Sequence, residues 1–160
     1  MAIHKIDGVD GTNHFPKKFV TLYTASTSIA KGQFVAIDLA DTTNGLGASV
    51  KLCPAGAASN QAGDLCFGVA TETIDAAGNI TIQTAGKFEN AYVVNGVEAG
   101  DALVGTLNGE APGSACAQTA ATFDGPVVAY SLQSEGSSGA TPQSGTDLRA
   151  DIMIIDQGLF

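Results

Sequence analysis

Apolar positions along this chain alternate with polar ones or gather in short unbroken runs, and nowhere keep a helical period for long. KKFVTLYTAST (17–27) alternates as a strand. KGQFVAIDL (31–39) follows a glycine turn and reads as the next strand, and VKLCPA (50–55) as a short one ended by Pro54. LCFGVATETI (65–74) and NITIQTA (79–85) pair as a hairpin across DAAG, and KFENAYVV (87–94) follows a glycine break as a new strand. DTTNGLGAS (41–49) and GAASNQAGD (56–64) are loops. IMII (152–155) is too short for a helix and fits a buried strand near the end of the chain. Gly or Pro interrupts every window long enough for an amphipathic helix, leaving only single turns within 56–63 and 98–103. The fold class is therefore mainly β, a small barrel or sandwich with long loops.

Part of the pattern recurs. IAKGQFVAID (29–38) is similar to VEAGDALVGT (97–106), with a small residue and Gly before an apolar strand. GDLCFGVATET (63–73) is similar to FDGPVVAYSLQ (123–133). Between the last strands, SEGSSGATPQSGT (134–146) is a polar, low-complexity loop expected to be mobile. Residues 1–16 carry glycines, acids and a proline without periodicity. They predict an extended arm over 1–18, ahead of a β-rich domain over 19–160.

Charge sharpens that division. The 160 residues carry a net −9. Lys5, Lys17 and Lys18 against Asp7 and Asp10 leave residues 1–18 at +1, while the rest holds four basic and fourteen acidic residues. Such an acidic body offers no general field to nucleic acid. No apolar run reaches membrane-spanning length, and MAIHKIDGVD has no apolar core of a secretory signal. The expectation is a product made in the cytoplasm that binds neither nucleic acid nor membrane. The odd count of cysteines, Cys53, Cys66 and Cys116, in apolar or small-residue surroundings predicts three buried free thiols.

Reactive constellations are scarce. His4 and His14 stand far from the cysteines and make no zinc spacing. IDGVDGTNH (6–14) lacks the alternate ligands and the distant Glu of a calcium loop, so its Asp-Gly pairs read as turns. GLGASV (45–50) lacks the third glycine and the helix of a dinucleotide loop. Arg149 is the single arginine, too few for a phosphate-clamping enzyme such as a dUTPase. Thr71, Glu72 and Thr73, with Thr81, Gln83 and Thr84, read as solvent-facing rungs of a sheet. The expectation is no catalysis, no cofactor and no metal.

The order of elements resembles the head decoration, or cement, proteins of tailed phages and their lambda-type fold. The matching residues are Gly32, Phe34, Val35, Gly68, Val69, Ala70, Gly86 and Phe88, within residues 30–95. The resemblance implies a β-tulip-like domain that forms a homotrimer on the outer capsid surface. It implies a structural virion protein that bridges neighbouring major capsid protein subunits and stabilises the mature shell. The arm then supplies the shell contacts: Ile3, His4, Lys5, Ile6, Phe15, Lys17, Lys18 and Phe19. The alternative is a non-enzymatic recognition module, tail-fibre-like or carbohydrate-binding. The absence of Trp and the presence of only three Tyr disfavour it.

Overall fold

The computed structural model describes residues 16–25, 28–41, 43–44, 48–53, 66–105, 113–117, 126–134 and 148–158. Among them are nine strands and no helix: β1 (Lys18–Thr24), β2 (Phe34–Ile37), β3 (Val50–Leu52), β4 (Cys66–Ala70), β5 (Gly78–Val93), β6 (Ala102–Gly105), β7 (Ala115–Ala117), β8 (Ala129–Ser131) and β9 (Leu148–Ile154). The fold is all-β and barrel-like, as the sequence pattern predicts.

The long β5 organises everything else. Its first half pairs with β1 and β4, and β4 continues through β2 to β3. A parallel bridge between Tyr23 and Ser49 brings β3 back to β1. The second half pairs with β9 and, at Val93, with β7; β9 continues through β8 and β6 to β7. Two five-stranded rings thus share one strand. Ile29, Val35, Ile37, Val50, Phe67, Ala70, Ile80 and Ile82 fill the first ring. Phe88, Val93, Val97, Leu103, Val128 and Ile152 are among those that fill the second.

The rings are copies of one topology. Strands β1, β2, β3, β4 and the first half of β5 correspond in order to the second half of β5, β6, β7, β8 and β9, each with the same partners and sense. The turn before β2 matches the turn before β6 bond for bond. Gln33 N–H donates to Ala30 O at 3.1 Å, and Asp101 N–H to Glu98 O at 3.2 Å. Gln33 Oε1 accepts from Ala30 N–H, as Asp101 Oδ2 accepts from Glu98 N–H. Gly32 N–H donates to Ala70 O and Gly100 N–H to Ser131 O. Both glycines have φ of 94°, a left-handed value that a side chain would strain. The faint recurrence of 29–38 at 97–106 is therefore a structural repeat.

Burial explains the unbroken apolar runs. Phe34, Cys66 and Val69 face the second cluster, while Val35, Phe67 and Ala70 face the first. Strands β2 and β4 are thus covered on both faces, which removes the usual alternation. A bulge where Val35 and Ala36 meet Gly68 and Cys66 lets β4 serve both cores.

Several expectations need correction. The two strands expected over 79–85 and 87–94 are one continuous strand, Gly78–Val93, because Gly86 (φ 89°) bends β5 without leaving the ladder. The ladder passes from Lys18↔Ala85 to Gly86↔Ile154 at that point. The Gln83 amide braces the bend, donating to Ala85 O and Lys87 O at 3.0 and 2.9 Å. Gln83 and Thr84 are accordingly buried, not solvent-facing rungs. The single helical turn expected within 98–103 is the glycine turn just described, running into β6. Strand β7 has no counterpart in the sequence reading. The helical turn expected within 56–63 and most of the loop 134–146 lie outside the described residues.

The cysteine expectation also fails in part. Cys53, after β3, and Cys66, opening β4, form a disulfide with Cα atoms 5.8 Å apart. An odd count argues against a framework of bridges but not against one pair and one remaining thiol. Closing a loop of this size stabilises by about 3 kcal/mol in the chain-entropy account. Titration of the denatured, unreduced protein should give one thiol, rising to three after reduction; three before reduction would refute the pairing.

Between β2 and β3, Asp41 gathers the chain. It accepts from Ser49 Oγ, from Asn44 Nδ2 at 2.9 Å and from Thr43 N–H at 2.8 Å. These bonds, that from Ser49 foremost, hold its carboxyl at about 2, below the ordinary 3.8. A depressed acid contributes stability above its unfolded pKa and loses it as pH falls through the folded value. Stability should therefore drop between about pH 4 and 2, and drop less in Asp41→Asn. Equal slopes in acid melting curves would contradict this.

Candidate docking surface

The chain enters the body over Gly86, in the seam between β1 and β9. A Cβ on Gly86 would stand 3.1 Å from Pro16 O and 3.2 Å from Lys17 Cα, so glycine is what allows the close passage. Lys18 Nζ closes the seam by pairing with Asp156. That bond, with a second from Gly158 N–H, lowers the Asp156 pKa. Pro16, Ala85, Met153 and Ile155 line the apolar hollow that remains beside it.

Of the predicted contact residues, the structure places Lys17, Lys18 and Phe19 here. Lys18 and Phe19 belong to β1, and Phe19 is 56% exposed. Ile3, His4, Lys5, Ile6 and Phe15 lie outside the described residues.

Next to the seam, Lys17, Phe19, Lys31 and Glu89 border a shallow hollow of about 290 Å³. Lys31 and Glu89 also border a second hollow with Asn90, Tyr92 and Arg149. The Arg149 guanidinium carbon lies 3.1 Å from the centroid of the Tyr92 ring, and its Nη1 donates to Asn90 O at 3.0 Å and Lys31 O at 3.2 Å. This arginine ties the first turn to the second ring, and Tyr92 N–H adds a 2.9 Å bond to Gly32 O. Lys87 reaches Glu89 at 3.1 Å and Asp151 at 3.3 Å, which raises its pKa, the bond to Glu89 contributing most.

Five of the chain's seven basic residues, Lys17, Lys18, Lys31, Lys87 and Arg149, thus gather around the bend of β5. Three carboxylates, Glu89, Asp151 and Asp156, stand among them. This face carries excess positive charge on a chain of net −9. Sequence reading found its first members through the charge of the arm. It missed Lys31, Lys87 and Arg149, which only the ring topology brings together. Among the described residues, no three of His, Cys, Asp and Glu converge as metal ligands would.

No protein-family model matches the chain, and no curated protein matches it. Among solved structures, the chain is similar to the head fiber gp8.5 N base in bacteriophage phi29, with a TM-score of 0.52 and 11% sequence identity. The likeness covers 88% of this chain and 96% of that one. At this identity it establishes a shared fold.

Proposed function

We propose that this chain is a structural component of a phage head. It binds the outer capsid surface as a homotrimer and stabilises the mature shell by bridging neighbouring major capsid protein subunits. It acts by contact, without catalysis. The observation that carries this reading is the fold likeness, over nearly the whole of both chains, to a protein described as a phage head fiber base. The resemblance of residues 30–95 to head decoration proteins supports it independently.

The arm supplies the grip. Lys5 orients approach to an acidic shell surface, and the apolar anchors Ile3, Ile6 and Phe15 supply the affinity. Each arm binds weakly, and three tethered arms bind firmly through effective concentration.

The test is co-sedimentation of the purified protein with expanded empty heads prepared without it. Saturable binding at a fixed ratio to the capsid subunit is expected. Protein left in the supernatant at every concentration would refute the proposal.

A further inference from the structure

The internal repeat exposes a surface that its own logic marks as an interface. Across the outward side of the first ring runs a ladder row, Phe34↔Val69↔Gln83↔Phe19. Phe34, Val69 and Gln83 are buried, and Phe34 and Val69 belong to the cluster of the second ring. The corresponding row of the second ring is Ala102↔Tyr130↔Met153↔Lys87. Among the described residues, no further strands cover it. Tyr130, the counterpart of the fully buried Val69, is 46% exposed, and Leu132 beside it is 44% exposed. Glu98 and Asp101 flank this apolar patch, held there by the bonds between Asp101, Gly100 and Ser131.

The chain also carries a surface of opposite character. In the hollow beside β1, the exposed Phe19 stands with Lys17 and Lys31, and with Glu89, whose charge Lys87 pairs at 3.1 Å. Neither lysine pairs with a carboxylate among the described residues. We infer that the Tyr130–Leu132 patch of one copy docks on the Phe19 hollow of the next, with Glu98 and Asp101 meeting Lys17 and Lys31. Aromatic then meets aromatic at the centre, and opposite charges meet at the rim, as in ordinary protein interfaces. The two patches differ, so the contact is head-to-tail, and the proposed homotrimer is the ring in which three such contacts close. This inference rests on the proposed self-association but not on shell binding.

Sedimentation equilibrium of the full chain, at low and high salt, tests it. The wild type should associate, more weakly at high salt. Lys31→Glu and Glu98→Lys should each weaken association by about tenfold or more, since like charges then face each other. Both side chains point away from the core, and the turn bonds at these positions use the backbone, so the variants should melt like the wild type. The double variant Lys31→Glu/Glu98→Lys should recover association, because the pair is restored with its signs exchanged. Tyr130→Ser should weaken association at either salt. A monomeric wild type, unaffected single variants, or a double variant no better than the singles would each overturn the inference. Monomers that still bind heads would overturn it, and the homotrimer with it, while leaving shell binding standing. Rings that ignore heads would do the reverse.

Discussion

Gly32→Ala should destabilise the protein by about 2–5 kcal/mol, and Gly100→Ala by only about 1–2 kcal/mol. The two glycines occupy the same place in the two rings, with the same φ of 94° and the same turn bonds. Backbone strain is therefore common to both. Their surroundings differ. A Cβ on Gly32 would meet Asn90 O at 2.6 Å and Arg149 Nη1 at 2.7 Å, whereas a Cβ on Gly100 meets nothing within 4 Å. Gly32 lies where the first ring presses on the second, and an added methyl would break the Arg149 clamp or part the rings. Urea unfolding of both variants measures the difference. Equal losses would mean that the contact between rings does not hold at Gly32.

Deleting residues 2–14 should leave the body folded and abolish binding to heads. Strand β1 begins at Lys18, and its pairing with β5 and the Lys18–Asp156 pair lie wholly within the body. Its melting temperature should therefore hardly change. The deleted segment carries Ile3 and Ile6 as apolar anchors and Lys5 as a cation. Burying such an anchor gives roughly 1.5–3 kcal/mol. Ordering the backbone costs roughly 1–2 kcal/mol per residue fixed. Burying both anchors offsets the ordering of only a few residues, so one arm binds weakly, and removing its anchors tips every copy below useful affinity. Full occupancy by the truncated protein would move the grip from the arm to the body.

Much of the fold was legible because strands announce themselves locally. KKFVTLYTAST alternates, and β1 lies half-covered at the side of the first ring. The hairpin of β4 and β5 follows from its turn residues. What failed depends on distant chain. Nothing in TAGKF tells that β5 exchanges β1 for β9 at Gly86, since both partners lie over 60 residues away. Nothing near Cys53 names Cys66 as its partner, because residues 54–65 separate them in the sequence. Strand β7 is three residues long and is held by neighbours, not by propensity. The repeat was visible only faintly, because the equivalent positions hold Phe34 and Ala102, or Val69 and Tyr130, whose surroundings differ. The docking face was the least legible part: its cations come from residues 17 to 149 and meet only once the rings are built.

The most direct test of the account is a reconstruction by electron microscopy of expanded heads with the protein bound. The expected result is density on the outer surface at three-fold positions, with the N-terminal arm toward the shell and each copy touching two neighbouring capsid subunits. Density inside the head, at the tail, or on isolated subunits without bridging would contradict it.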